Sequence, residues 1–402
     1  MYDPPPMDKT PDPEKKALGN LRLVGGAETN KVMGGEMMRL VKRGLHRVRL
    51  PDPKKEGTGQ LLYPFTPELA HLAVHHHRTC ARVFWDLYTS QASRLEPLYD
   101  ELLSQVTAES RNWWWNGAGI SIRARNVAGF PAGERQVVGT VKNALLDGAK
   151  EQGIELHVDP ENPDIEIGIR MHYDLLTVSI DLAGRPMNKR GYRMDGALAP
   201  IRENLAAVCV MLARYDSRSE ILFDPMSGSG TIAIEGALMA RATPIWSPKN
   251  KPAHHRLPPF ADLVKKPVSP LFADTRPCVV ANELEDSTYK IAQANMKAAG
   301  VSNDIIHTRG DFRDMKAGPM MRGLPFDKGV ILCNPPYGER VGGEDVTALY
   351  RDLREWLPQF KGWRAAFIVA HPEFEEIMRM RPRMKKPLSA KPFRGYFYLY
   401  DL

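Results

Sequence analysis

The fold is decided by the stretch Ile221-Leu222-Phe223-Asp224-Pro225-Met226-Ser227-Gly228-Ser229-Gly230. Three apolar residues, typical of a buried parallel strand, run directly into an acid and a glycine-rich loop. The next ten residues, 231–240, are mostly apolar and rich in good helix formers, which predicts a helix. Strand, glycine loop and helix in this order indicate a doubly wound α/β sheet, and such sheets bind ligands beyond the carboxyl ends of their strands.

The glycine loop alone leaves three interpretations open. Its Gly228-x-Gly230-x-x-Ala233 spacing fits a dinucleotide-binding loop, and a simple strand–turn–helix junction also needs glycine. Asp224 favours a third interpretation, because a carboxylate at the strand tip would repel a pyrophosphate. That acid suits a cationic or zwitterionic ligand, such as the amino acid end of S-adenosylmethionine (SAM). We therefore predict SAM as the cofactor.

A second loop, Asn334-Pro335-Pro336-Tyr337-Gly338, follows the apolar run Val330-Ile331-Leu332-Cys333. Two prolines fix φ and remove N–H donors, which leaves backbone carbonyls as acceptors beside the Asn334 side-chain oxygen. Two acceptors aimed at the hydrogens of an aromatic amine would free its lone pair for attack, and Tyr337 could stack on a flipped base. The alternative is an ordinary Asn-Pro turn with a core tyrosine. We predict that Asn334, Pro335, Pro336 and Tyr337 form the catalytic loop.

Two further acids follow predicted strands between these loops. The run Cys278-Val279-Val280-Ala281-Asn282-Glu283 reads as a strand that ends in an acid, and residues 287–300 read as the next helix. We expect Glu283 to accept hydrogen bonds from ribose hydroxyls; a helix-start carboxylate is the alternative. Asp311 is expected to accept from the adenine amino group while Phe312 packs on the ring, with a helix cap as the alternative for Asp311.

Composition indicates a soluble, cytoplasmic, globular protein. The chain has 402 residues, 43% of them hydrophobic, and no apolar run of the roughly 18 residues that a membrane span needs. Its first residues are rich in Pro, Asp and Lys, which argues against a signal peptide. A formal net charge of +7 favours a polyanionic partner.

The sequence predicts no metal site. His75-His76-His77 precedes Cys80, but three consecutive histidines on a helix face different directions, and no second Cys/His pair with metal-ligand spacing is apparent. The four cysteines lie far apart, as free thiols of a reducing compartment do.

The order of several segments resembles the THUMP-domain RNA guanine-N2 methyltransferases, most of all the N-terminal half of the bacterial 23S rRNA enzymes and next the tRNA enzymes. The catalytic part of the resemblance rests on Asn188-Lys189-Arg190-Gly191-Tyr192-Arg193, Ala199-Pro200-Ile201-Arg202-Glu203-Asn204-Leu205-Ala206-Ala207, the glycine loop and the Asn-Pro-Pro-Tyr loop. Upstream, Arg78-Thr79-Cys80-Ala81-Arg82-Val83, Val141-Lys142-Asn143-Ala144-Leu145-Leu146-Asp147 and Pro163-Asp164-Ile165 resemble the THUMP module.

This resemblance implies an α/β fold: a Rossmann-like class I methyltransferase domain preceded by an α+β ferredoxin-like and THUMP RNA-binding region. The expected domains are a disordered tail (1–18), a ferredoxin-like region (19–63), a THUMP domain (64–184), a basic linker (185–198) and the methyltransferase domain (199–402), interrupted by an insertion at 244–270. The implied SAM contacts are Asp224, Ser227, Gly228, Gly230, Thr231, Glu283, Asp311 and Phe312.

Structured RNA, either rRNA or tRNA, is the expected partner. Four cations within nine residues beside the catalytic domain would concentrate positive charge for phosphates; they are Arg185, Lys189, Arg190 and Arg193. The predicted function is SAM-dependent formation of N2-methylguanosine, in 23S rRNA. The alternatives are a tRNA guanine-N2 methyltransferase, an N6-adenine methyltransferase and a non-catalytic RNA-binding assembly factor.

Overall fold

The computed structural model describes residues 18–45, 48–193, 201–336, 346–390 and 393–402. Most of the predicted tail (1–18), part of the predicted linker and the catalytic-loop residue Tyr337 lie outside these ranges. Among the described residues two sheets form, one from each half of the chain. No described helix is long and apolar enough to cross a membrane.

The first sheet and its helices occupy residues 20–181. Its strands are β1 (Asn20–Val24), β2 (Lys54–Lys55), β3 (Gln60–Pro64), β4 (Arg82–Ser90), β5 (Gly119–Arg125), β6 (His157–Val158), β7 (Ile165–His172) and β8 (Leu175–Asp181). Its helices are α1 (Asn30–Gly44), α2 (Pro67–His76), α3 (Leu95–Thr107) and α4 (Glu134–Glu151). The strand order is β2-β3-β1-β4-β8-β7-β5-β6.

Alternating side chains explain why these segments form a sheet with one covered face. Along β7, buried and half-buried residues alternate strictly, so one face packs on helices and the other is partly solvated. Strand β1 pairs antiparallel with both β3 and β4, and β4 pairs antiparallel with β8. The predicted boundary between residues 63 and 64 therefore falls at the end of β3, inside one continuous sheet.

The second sheet is the predicted doubly wound sheet. Its strands are β9 (Ile221–Asp224), β10 (Cys278–Glu283), β11 (Ile305–Arg309), β12 (Gly329–Cys333), β13 (Arg364–Val369), β14 (Met384–Ala390) and β15 (Phe393–Asp401). Its helices are α5 (Glu203–Leu212), α6 (Thr231–Ala240), α7 (Asp286–Ala298), α8 (Ala317–Met321), α9 (Val346–Trp356) and α10 (Phe374–Met378). The strand order is β11-β10-β9-β12-β13-β15-β14.

The strand order of the second sheet positions a ligand crevice. Strands β9 to β13 run parallel, whereas β15 and β14 are antiparallel. Strand β9 lies between β10 and β12. The strands that follow β9 are first added on its β10 side, and after β11 the chain crosses back and adds β12 and β13 on the other side. That reversal opens a crevice beyond the carboxyl ends of the two strands. The glycine loop and the Asn-Pro-Pro loop both begin there.

Helix α6 is buried along its whole length, which matches its apolar sequence. Gly236 allows its close approach to the sheet, because a Cβ at this position would collide with the Leu222 side chain on β9. The insertion at 244–270 leaves the second sheet after α6 and packs Trp246, Leu257 and Phe260 into the hydrophobic core of the first region. The two halves of the chain therefore share an extensive apolar contact.

Candidate active site

The glycine loop is held in place by backbone hydrogen bonds. Ser227 N donates to the Asn282 carbonyl at 2.8 Å, and Gly230 N donates to the Ser227 carbonyl at 2.9 Å. Gly228 and Gly230 have φ of 55° and 82°, the left-handed region that side chains other than glycine rarely adopt. Thr231 is buried as the first residue of α6.

The space around this loop is open on one side. A Cβ placed on Gly228 would meet no atom of the described residues within 4 Å, whereas one on Gly230 would lie 3.1 Å from Met296 Cε. The Ser227 hydroxyl is buried and has no hydrogen-bond partner among the described residues. A bound small molecule could occupy the space beside Gly228 and supply the hydrogen-bond partner that the Ser227 hydroxyl lacks.

Glu283 supports the loop directly. Its Oε2 accepts from Gly228 N at 2.8 Å, and its Oε1 accepts from Glu285 N at 3.0 Å. The residue is 9% exposed, so the carboxylate lies at the floor of the crevice. Each oxygen keeps a further lone pair. The predicted contact with ribose hydroxyls stays a prediction, and the structure adds a loop-supporting role.

Asn282 is a site residue that the sequence analysis missed. Its side chain is buried, and Nδ2 donates to the carbonyls of Pro225 at 3.1 Å and Gly310 at 2.8 Å. Its Oδ1 accepts from Thr308 Oγ1 at 3.0 Å. This one amide thus connects the loops that follow β9 and β11. The sequence did contain a signal: an asparagine near the end of an otherwise apolar strand must find hydrogen-bond partners, because burying an unpaired amide is costly.

Asp224 is almost fully buried at the tip of β9, with 1% of its surface exposed. Its Oδ1 accepts from Met226 N at 3.3 Å. Burial raises the pKa of the Asp224 carboxyl to about 8, and the nearby Glu283 acts in the same direction. Burial therefore favours the protonated form of this side chain in the free protein.

The predicted adenine contacts are occupied by neighbouring protein groups. Asp311 Oδ1 accepts from Arg313 N at 2.9 Å, and its Oδ2 pairs with the Arg313 guanidinium at 2.7 Å. Phe312 is 4% exposed and packs edge-on against Trp356, with ring centroids 5.4 Å apart. Asp311 thus caps the short turn that follows it, and the predicted contacts of Asp311 and Phe312 with adenine stay predictions.

The catalytic loop begins where β12 ends beside β9. Asn334 is half-buried, and among the described residues no group is hydrogen-bonded to its side-chain amide. Pro335 is buried and Pro336 is exposed. The Pro336 carbonyl accepts from the Tyr350 hydroxyl at 3.0 Å. Asn334 and Pro335 directly follow β12, at the strand end that adjoins β9.

The basic segment is only partly a surface feature. Lys189 is exposed. Arg185 is half-buried and lies over the Trp246 ring, 4.6 Å from the guanidinium carbon to the ring centroid.

Arg190 and Arg193 were predicted to bind RNA; the burial of Arg190 contradicts its prediction, whereas that for Arg193 stays a prediction. Arg190 is 8% exposed; its guanidinium bonds to the carbonyls of Met187 and Arg78 and lies 3.6 Å from Glu235. Arg193, which is part-buried, donates to the Ile201 carbonyl at 2.8 Å and pairs with Glu203 at 3.3 Å. Each cation lies beside an acid of the protein, Glu235 on α6 for Arg190 and Glu203 on α5 for Arg193.

Comparison with known proteins shows the family of this chain. Residues 190–395, just over half of the chain, match the family described as UPF0020, RMKL-like methyltransferase domain. Proteins named ribosomal RNA large subunit methyltransferase K/L are similar: the one from Syntrophotalea carbinolica is 32% identical over 60% of this chain and 35% of its own length. The one from Alteromonas mediterranea is 28% identical over 82% of this chain and 48% of its own length.

The chain thus spans between a third and a half of the length of these relatives. The fold also matches the crystal structure of the methyltransferase SMU.472 with SAH, with a TM-score of 0.76, 22% identity, and coverage of 96% of this chain and 98% of that one. At that identity the likeness shows a shared α/β methyltransferase fold. Because the family match includes the glycine loop, Glu283 and the Asn-Pro-Pro loop, the chain belongs to the RMKL-like methyltransferase domain family.

Proposed function

We propose that this chain is a SAM-dependent RNA methyltransferase that forms N2-methylguanosine, in large-subunit (23S) rRNA. The observation that carries the proposal is one crevice that combines an open glycine loop, backed by Glu283, with the Asn334 amide on the neighbouring strand end. The names of the relatives, which are rRNA methyltransferases, support the choice of substrate.

The residues present fit SAM. Gly228 leaves the space that a ligand lying against the loop requires, and the Ser227 hydroxyl is free to hydrogen-bond to it. Asp224 and Glu283 supply negative charge at neutral pH when a cationic ligand is present. SAM, when bound, supplies a methyl group activated by its sulfonium charge. Asp224, Ser227, Gly228, Gly230, Thr231 and Glu283 would hold it, with Asp311 and Phe312 at the adenine end.

Asn334 and the Pro335 carbonyl are the proposed acceptors for the two hydrogens of the target amine. The Pro336 carbonyl is a weaker candidate, since it already accepts from Tyr350. Two acceptors would draw the nitrogen toward tetrahedral geometry, free its lone pair for the methyl carbon, and stabilise the positive charge that develops. The cation formed on N2 is strongly acidic and loses a proton to water, so no general base is required. Tyr337 is proposed to stack on the base.

RNA docking is proposed for the region that precedes the methyltransferase domain, with residues 19–63 ferredoxin-like and 64–184 a THUMP domain. Exposed Lys189 and half-buried Arg185 lie at the junction of the two regions, where they could contact phosphates. The tRNA guanine-N2 reaction remains an alternative, because both substrates present the same amine in structured RNA.

Asn334→Ala tests the mechanism. Turnover should fall by about 10²-fold or more, since an oriented acceptor is lost, while SAM and RNA affinities stay near normal. The assay is single-turnover methyl transfer to 23S rRNA and to tRNA, with the product nucleoside identified by mass spectrometry. Asn303→Ala, at an exposed asparagine, is the matched control.

Each outcome of that assay has a distinct meaning. Full activity in Asn334→Ala would remove the amide from the mechanism. A methyl group found on adenine N6 would show that the target is adenine and not guanine. A methylated tRNA with unmodified rRNA would show that the substrate is tRNA. A protein that binds RNA but neither binds SAM nor transfers a methyl group would be the non-catalytic assembly factor.

A further inference from the structure

Four histidines from two distant parts of the chain meet outside the proposed active site. His71 and His75 lie one turn apart on α2, and His254 and His255 lie in a 3-10 turn of the insertion. His71 Nδ1 is 3.0 Å from His254 Nε2, and His75 Nε2 is 3.0 Å from His255 Nε2. One ring nitrogen of each histidine lies within 4.8 Å of the corresponding nitrogen of every other.

This arrangement differs from the run His75-His76-His77 with Cys80 that the sequence analysis considered. His76 and His77 do point elsewhere: His76 bonds to the Ala242 carbonyl and His77 to the Met33 carbonyl. The histidines that do converge are His71 and His75, an i, i+4 pair on one face of α2, and the neighbouring residues His254 and His255 of the insertion. The sequence analysis did not connect the insertion with α2. Helical histidines at this spacing are a common half of a zinc site.

The distances are close to those of a tetrahedral metal centre. Zn–N bonds of about 2.0–2.1 Å imply ligand nitrogens roughly 3.4 Å apart, so small side-chain rotations would bring all four to one ion. His254 Nδ1 lies 3.3 Å from the Leu182 carbonyl, an N–H···O contact that leaves Nε2 as the lone-pair nitrogen. His75 is 3% exposed, and its Nδ1 has no hydrogen-bond partner among the described residues.

Burial of the cluster disfavours the charged form of its imidazoles. Burial lowers the pKa of His71 to about 4 and lowers the pKa of His75, His254 and His255, with the neighbouring imidazoles or Lys251 acting in the same direction. Neutral imidazoles present lone pairs without competition from protons at pH 7. All four ligands are nitrogen, a set that suits Zn²⁺, Ni²⁺ or Cu²⁺ and disfavours Mg²⁺ and Ca²⁺.

We propose that His71, His75, His254 and His255 bind one divalent transition-metal ion, with Zn²⁺ the best match to their geometry. The ion would hold the insertion of the methyltransferase domain against α2 of the preceding region. Its role is structural, because four protein ligands close a tetrahedral site and leave no position for substrate.

The test uses the full chain without a histidine tag, stripped of metal by a chelator. Titration with Zn²⁺ should show one equivalent bound per chain, and saturating Zn²⁺ should raise the thermal midpoint, because the ion binds the folded state. Co²⁺ should give the intense visible absorption of a tetrahedral centre, and Mg²⁺ should have no effect.

The variant His71→Gln/His255→Gln changes only the two half-buried ligands, so the fold should persist. We expect Zn²⁺ affinity to fall more than 100-fold and the tetrahedral Co²⁺ spectrum to disappear. The control His157→Gln/His172→Gln also removes two histidines, from the first sheet, and should bind like wild type. Absence of Zn²⁺ uptake at micromolar concentrations, or equal affinity in both double variants, would overturn the proposal and leave a hydrogen-bonded histidine cluster. Methyl transfer is measured separately, so failure here leaves the proposed function intact.

Discussion

The two acids of the crevice differ in how the protein solvates them. Glu283 accepts two backbone N–H groups, whereas Asp224 accepts one long backbone bond, from Met226 N, lies beside the Cys333 thiol and is almost fully buried. Burial, followed by the proximity of Glu283, raises the pKa of Asp224 to about 8. Its folded-state pKa is thus above that of the unfolded chain. It contributes stability that is fully present below about pH 4 and is lost as the pH rises toward 8.

SAM binding should therefore release a proton from Asp224. A cationic ligand beside the carboxyl favours its ionised form and lowers the pKa. At pH 7 we expect release of about one proton per SAM bound, and affinity that increases as the pH is raised from 6 to 7.5. Calorimetric titrations in two buffers with different ionisation enthalpies measure the proton count.

The Asp224→Asn variant provides the control, because an amide of the same size cannot titrate. It should bind SAM more weakly, release no proton and lose the pH dependence. Equal proton release by the variant and wild type would assign the titration to another group, and no release by wild type would mean that SAM binding leaves the ionisation of Asp224 unchanged.

At the scale of elements, the apolar runs were sufficient to predict the second sheet. The strand Ile221–Asp224, helix α6 and the strand Cys278–Glu283 were each predicted at the observed place, because their apolar runs are short and end at acids or glycines. The antiparallel strand β15 pairs with β13, and β14 lies beyond β15 at the edge of the sheet. Strand β14 carries two lysines and Pro387, so its sequence lacks an apolar alternation; proline is tolerated there because the strand is at the edge.

Contacts between distant segments could not be predicted from local patterns. Nothing near Arg190 in the sequence shows that Glu235 of α6 faces it, so a run of four cations was interpreted as a phosphate-binding surface. The same holds for His254 and His255, which approach α2 only once the insertion has packed. Asn282 is similar, since its partners lie on two other loops.

The linker cations should consequently separate into two classes. Lys189→Ala should reduce the slope of log affinity against log salt for RNA by about one, the effect of one lost phosphate contact. Arg190→Ala should leave that slope unchanged and should lower the free energy of unfolding by about 3 kcal/mol, because a buried ion pair loses a partner.

Filter binding of RNA at several salt concentrations and urea unfolding measure these two effects. SAM affinity serves as the internal control for both variants and should barely change. A reduced salt slope in folded Arg190→Ala would return this residue to the RNA surface, and an unchanged slope in Lys189→Ala would place the phosphate contacts elsewhere.

At the scale of the whole molecule, a buried charged network joins the two regions. Arg78, which follows α2 in the first region, donates to both oxygens of Glu235 on α6 at 3.2 and 3.0 Å, and to the Thr243 carbonyl at 3.1 Å. From the segment between the regions, Tyr192 donates to Glu235 at 3.2 Å, and Arg190 lies beside it. Two cations and one carboxylate meet with almost no solvent exposure, so the network tolerates the loss of any member poorly.

Glu235 is the member whose removal should cost most. Glu235→Ala would leave Arg78 and Arg190 as buried cations without their common counter-ion, which should lower the free energy of unfolding by about 3–5 kcal/mol. The control Glu355→Ala removes a glutamate from an ion pair with Arg354 in which the carboxylate is 72% exposed, and should change stability by less than about 1 kcal/mol. Urea unfolding followed by tryptophan fluorescence measures both.

Because the network spans the contact between the regions, the Glu235 variant should also unfold in two separated steps where wild type unfolds in one. A single unshifted transition in Glu235→Ala would show that the apolar contact of the insertion alone couples the two halves of the chain.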